Sequence, residues 1–175
     1  IAEPIANAID KEEIDRKKRV EEASKLLEAL KSQENALKNV VEVSKQNRLL
    51  SDDVKAIRGN VEAIKAASVD NKVLEDTFKS YLSSEEGAKL RETFGATSLD
   101  ELYRNIEVYL ADETKSSESR TQLAQALQIA NIRAQKTAYE QSKEGQLLTA
   151  DDRKKLMNYT LQEAYLRSGI SSMGS

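Results

Sequence analysis

Residues 20–41 read VEEASKLLEALKSQENALKNVV. Written as heptads, Val20, Leu27, Glu34 and Val41 fall on one set of positions, and Ala23, Leu30, Leu37 and Ser44 fall on the complementary set. Apolar residues alternating at spacings of three and four make a stripe down one side of a helix, with Glu21, Glu22, Lys31 and Lys38 left to water. An isolated helix of this kind does not bury its stripe, so the stretch requires at least one helical partner. The pattern decides the fold class: all-α, an elongated antiparallel helical bundle.

Composition agrees. Of 175 residues, 39% are hydrophobic and 33% charged, with one proline, six glycines and no tryptophan. Runs of β-branched and aromatic residues bounded by turns, the mark of strands, are missing. A net charge of −3 leaves no basic field for nucleic acid. The run Arg16-Lys17-Lys18-Arg19 is neutralised by Glu12, Glu13, Asp15, Glu21 and Glu22. No apolar run approaches the roughly 20 residues that span a bilayer. The polar faces mix acids and bases instead of presenting the basic face of a membrane-surface helix.

The chain contains no cysteine and no histidine. That removes thiol nucleophiles, imidazole bases, Ser-His-Asp triads, Cys/His metal cages and structural disulfides. Gly87 and Gly95 are isolated and no Gly-Lys-Ser/Thr follows either, so no phosphate loop is present. The acidic pairs Asp52-Asp53, Glu85-Glu86 and Asp151-Asp152 each stand where a helix begins, and negative charge is stabilised there by the helix dipole. Adjacent helical residues point in different directions, so none of these pairs converges on a metal or a substrate. The expectation is a protein without catalytic, cofactor-binding or metal-ligating residues.

Along the chain, the helical pattern runs from about residue 11 to 50 and breaks at 47–51, where the apolar series restarts as Leu50, Val54, Ile57, Val61 and Ile64. Ser51 with Asp52 and Asp53 begins a second helix, 52–67, in hairpin contact with the first. Gly59 within it suggests a close crossing. Aromatic residues then gather in short segments, which predicts three helices over about 71–82, 84–94 and 99–110. Their shared core would include Phe78, Phe94 and Tyr109. The polar run 112–119 reads as a linker. Beyond it, Leu123, Leu127, Ala130, Ala134 and Ala138 make a narrow seam suited to packing against the first helix. The neighbouring glutamines Gln122, Gln125, Gln128, Gln135 and Gln141 read as a solvated face. Gly145 ends that helix, Thr149 with Asp151 and Asp152 starts the last one, and Gly169 is placed to stop it. Residues 1–67 and 116–170 therefore form the bundle body, 68–115 a small helical appendage, and 171–175 a flexible tail.

Tyrosine anchors interfaces well because it buries a large ring and keeps a polar tip. Tyr81 and Tyr103 in the appendage, and Tyr159 and Tyr165 near the far end, are the candidate partner-binding residues. The same residues also suit the completion of a local core, the reading that fits Tyr109 best.

The order of segments, a long N-terminal helical pair, a small helical island and a long returning helix with the tract Gln122-Leu123-Ala124-Gln125-Ala126-Leu127-Gln128-Ile129-Ala130-Asn131, resembles the minor pilin family of type IV secretion and conjugation machines. The resemblance implies a non-enzymatic, exported structural and adhesive subunit at a pilus tip. Its partners would be pilus or secretion-machine subunits, with a host-cell receptor as a further candidate. The uncharged start Ile1-Ala2 ahead of Pro4 fits the residues after a cleaved signal peptide. The expected location is accordingly periplasmic or extracellular. The alternative is a cytoplasmic coiled-coil adaptor or assembly scaffold, including a phage scaffold.

Overall fold

The structure is a computed structural model that describes residues 2–45, 51–68, 99–112 and 114–173, together with isolated positions between 76 and 92. Among the described residues five helices are defined: α1 Ala2–Lys45, α2 Ser51–Ser68, α3 Leu99–Ala111, α4 Ser117–Ser142 and α5 Ala150–Met173. The fold is all-α. Helix α1 packs along α4 and against α2, α5 packs chiefly on α4, and α3 packs on α2. At about 1.5 Å per residue, α1 alone is about 66 Å long, which sets the length of the body. The predicted helices over 71–82 and 84–94, with Phe78 and Phe94, lie almost wholly outside the described residues.

Helix α1 begins nine residues earlier than the periodicity predicts. Pro4 is compatible with this because it sits in the first turn, where a backbone N–H has no intrahelical acceptor to lose. The side chains of Asp10–Asp15 are all exposed. Arg16 and Arg19 reach the rest of the bundle. Arg19 makes a two-pronged bond to Glu144, Nε to Oε2 at 3.2 Å and Nη2 to Oε1 at 3.0 Å. Arg16 lies over Gly145, whose φ of 80° is left-handed. Only glycine adopts that turn without strain, and the turn reverses the chain from α4 towards α5.

The seam of α1 is rotated by one position from the sequence expectation. Ala23, Leu26, Leu30, Gln33, Leu37 and Val40, at spacings of 3-4-3-4-3, are each 0% exposed. Ala23, Leu30 and Leu37 fall where expected. In the other heptad set Leu26 and Gln33 take the centre in place of Leu27 and Glu34, which are half-buried, and Val40 joins Val41, which is buried as expected. Two neighbours explain the shift: α2 and α4 both lean on α1, so the buried arc is wider than a single coiled-coil seam and its centre lies between them. The choice of Gln33 over Glu34 for the centre follows from desolvation, because an ionised carboxylate costs far more to bury than an amide. Glu34 stays at the edge, with Lys38 Nζ 2.9 Å from its Oε1.

In α2 the expected residues Val54, Ile57, Val61 and Ile64 are all buried, joining the α1 core. Gly59 faces open space, with nothing within 4 Å of a Cβ placed there, so it serves no close crossing. Helix α4 starts at Ser117, which shortens the expected linker to 112–116. The reason is local: Ser116 Oγ accepts a hydrogen bond from Ser119 N at 3.1 Å and caps the helix. The small-residue seam Leu123, Leu127, Ala130, Ala134 and Ala138 is buried throughout. Tyr109 of α3 packs against this same core.

The described glutamines of α4 do not form a solvated face, and the side chain of Gln122 lies outside the described set. Gln128 and Gln135 are buried, and Gln125 and Gln141 are half-buried. Because α4 is enclosed by α1 on one side and α5 on another, its polar residues are drawn inside. Gln135 then bridges helices: its Nε2 donates to Glu34 Oε2 at 2.8 Å and to Asn131 Oδ1 at 2.6 Å. Helix α5 runs through Gly169 to Met173, past the stop that glycine was expected to impose and into the residues expected to form a flexible tail.

Candidate interaction surface

Helix α5 is built on a reciprocal cap. Thr149 N donates to Asp152 Oδ2 at 2.9 Å, and Asp152 N donates to Thr149 Oγ1 at 3.1 Å, the two bonds of a capping box. Tyr139 of α4 donates its hydroxyl proton to Asp152 Oδ1 at 2.6 Å and locks the box to the preceding helix. The Tyr139 bond, with the Thr149 backbone N–H, draws the Asp152 carboxyl down to about 2. The same bond and burial push the Tyr139 phenol up to about 12. Lys143 and Lys155 place their ammonium groups 5.8 and 5.6 Å from the Tyr139 ring centre. Of the acidic pair, Asp152 is thus a structural cap and Asp151 stays exposed in the first turn.

With its start fixed, α5 presents two opposite faces. On a helical wheel of about 100° per residue, Asp152, Leu156, Tyr159, Glu163 and Leu166 share one side. Those side chains are buried or half-buried. Glu163 pairs there with Arg133 of α4 and accepts from Arg167 Nη2 at 2.9 Å. Met157, Leu161, Ala164, Tyr165 and Ser168 lie about 180° away, with Lys154 beside them, and all six are exposed. Met157 and Leu161 are each 59% exposed and Tyr165 is 80% exposed. Three large apolar side chains at i, i+4 and i+8 form one outward stripe in the middle of the helix. The flanks add Asn158, Thr160 and Gln162, which are neutral, and Arg153 and Lys155, which are basic.

The four predicted interface tyrosines therefore part company. Tyr165 stands on the outward stripe. Tyr159 turns inward: its ring centre is 6.2 Å from that of Tyr139, tilted by 57°, and burial followed by the charge of Glu34 raises its phenol pKa. It borders an open cleft of about 400 Å³ between α1 and α5, beside Lys31, Glu34, Lys38, Gln135 and Lys155. Tyr103 belongs to α3, with its side chain outside the described set, and Tyr81 lies outside the described residues altogether. Reading from sequence alone did not single out Met157 and Leu161, which face away from the bundle beside Tyr165. The signal was there: the helix carries two apolar groups at helical spacing, Leu156-Tyr159-Leu166 and Met157-Leu161-Tyr165, and a single neighbour covers only one.

Among the described residues no group of three or more acidic, histidine or cysteine side chains is placed to hold a metal ion, and no described helix is long and apolar enough to cross a membrane. Comparisons with protein-family models, with curated proteins and with solved structures returned no match.

Proposed function

We propose that this chain is a non-enzymatic structural subunit that works by docking protein partners on the outer face of α5. The observation that supports the reading is the outward stripe Met157–Leu161–Tyr165 on a helix whose opposite face is already packed. A single exposed apolar residue needs no explanation, whereas three at helical spacing with an aromatic among them have the composition of an interface centre. The segment order and the α4 tract resemble minor pilins, so the specific form proposed is an exported component of a type IV secretion or conjugation pilus. Its partners are then the other subunits of that machine.

The test is a photo-crosslinking amino acid placed at position 161 in cells that produce the native protein. Adducts to a pilus or secretion-machine subunit are expected, together with recovery of the protein from the periplasm or the cell surface. A protein confined to the cytosol would overturn export and favour an adaptor or assembly scaffold. Absence of any adduct at 161 would overturn the docking role of α5.

A further inference from the structure

The same stripe carries a more specific reading, which rests on the proposal that α5 is a docking face: we infer that one occupant is the α5 helix of a second copy of this chain, crossing antiparallel about Leu161. Two features point to it. Helix α5 spans Ala150–Met173, so Leu161 lies at its midpoint and an antiparallel crossing there overlaps the two helices along their full length. Residues at equal distances on either side of Leu161 then face one another. Leu161 meets Leu161, and Met157 of each copy meets Tyr165 of the other, a favourable sulfur–aromatic pairing. A two-fold axis makes such a contact self-complementary and closed.

Charge layout selects the direction. Arg153 and Lys154 stand at the start of the helix just after the exposed Asp151, with Lys155 turned onto the Tyr139 ring, and no exposed acidic residue follows them before Ser168. In a parallel pair these cationic clusters would face each other at the usual interaxial distance of about 8–10 Å. In the antiparallel pair the two Lys154 side chains start about 21 Å apart along the axis, well beyond a Debye length of about 8 Å. Arg153 and Lys154 then lie near positions 168 and 169 of the second copy, close to the end of a helix whose last turn has no basic residue of its own. Cations are stabilised beside a helix C-terminus.

The size of the contact sets its strength. With Met157 and Leu161 59% exposed and Tyr165 80% exposed, the three offer roughly 400 Å² of surface per copy, taking side chains of about 150–250 Å². The Lys154 stem, Ala164 and Ser168 extend this towards the roughly 1,000 Å² total at which specific association begins. A contact at the small end of that range makes a weak, concentration-dependent dimer the expectation.

The absence of cysteine makes the geometry directly testable on the purified full chain. Leu161→Cys and Lys154→Cys place single thiols on exposed positions of the same helix. Under mild oxidation at about 100 µM, Leu161→Cys is expected to form a disulfide-linked dimer at least about tenfold faster than Lys154→Cys. A mixture of Met157→Cys and Tyr165→Cys should link more readily than either alone. Sedimentation should show a monomer–dimer equilibrium that Leu161→Asp shifts to monomer at unchanged helicity. Linking of Lys154→Cys as fast as Leu161→Cys would overturn the antiparallel arrangement. A chain that sediments as monomer and links slowly at every position would overturn the second copy as occupant. That last result, combined with adducts from position 161 to a different subunit in cells, would leave the docking role of α5 standing.

Discussion

Replacing Gln33 by leucine should make the protein more stable, although it removes the central polar group of the main seam. Gln33 is 0% exposed, lies between Leu30 and Leu37, and neither its Oε1 nor its Nε2 has a hydrogen-bond partner in the protein. Burying such an unpartnered amide costs about 1–3 kcal/mol relative to leaving it in water. Leucine removes that cost, keeps a similar volume and helix propensity, and loses somewhat less side-chain entropy on burial. Against this stands the change of shape at Cγ, which in a packed core costs below about 1.5 kcal/mol. The net expectation is a gain of about 1–2 kcal/mol. For a chain of this size it corresponds to a rise in Tm of about 2–8 °C. The measurement is urea unfolding followed by circular dichroism at 222 nm, comparing midpoints at constant m. A midpoint for Gln33→Leu equal to or below that of the parent, with m unchanged, would refute the reasoning. It would mean that the amide gains more inside the bundle than its surroundings account for.

Tyr139→Phe should destabilise by about 1–3 kcal/mol in the same assay, because Asp152 loses a hydrogen bond to its charged oxygen. The Asp152 carboxyl is held at about 2, below its ordinary value of 3.8, so its contribution is complete above pH 4 and is lost as pH falls from about 4 towards 2. The Tyr139 phenol is raised from 10.0 to about 12, so its contribution is present below pH 10 and is lost as pH rises from 10 to 12. A pH–Tm profile of Tyr139→Phe should be flatter than the parent's in both windows; equal slopes would count against the bond. Gly145→Ala should cost about 1–2 kcal/mol, since alanine pays for the left-handed turn at φ 80° and displaces the Arg16 side chain, and Gly145→Asn should cost less. Thermal melts of the two variants test the order. Leu30→Ala should lower stability by about 2–5 kcal/mol, the range for a fully buried leucine, and a loss under 1 kcal/mol would mean the seam is not where the packing puts it.

How much of this was legible in the chain depends on whether a pattern distinguishes one face from the next. Val54, Ile57, Val61 and Ile64 have no large apolar residue on either side, so their face was readable, and they are buried as the spacing requires. In α1 the doublets Leu26-Leu27 and Val40-Val41 are apolar at both candidate registers, and Gln33-Glu34 is polar at both. Periodicity alone is then degenerate by one residue, and the tie is broken by a tertiary fact, the presence of neighbours on two sides. Gln135 was misread for a related reason: an amide reads as solvated until the partner that satisfies it, Glu34, is brought across from a residue 101 positions away. Helix α5 is the most informative case. Its residues support a buried face twice over, and no local rule says which face the bundle will take. The Thr149–Asp152 cap and its bond from Tyr139 fix how α5 leaves the turn after Gly145, and that choice buries Tyr159 and leaves Leu161 outside. The outward stripe therefore follows from a hydrogen-bonded corner nine residues away from its centre. A substitution that loosens the corner, such as Tyr139→Phe, should weaken Leu161→Cys disulfide formation without touching the stripe itself.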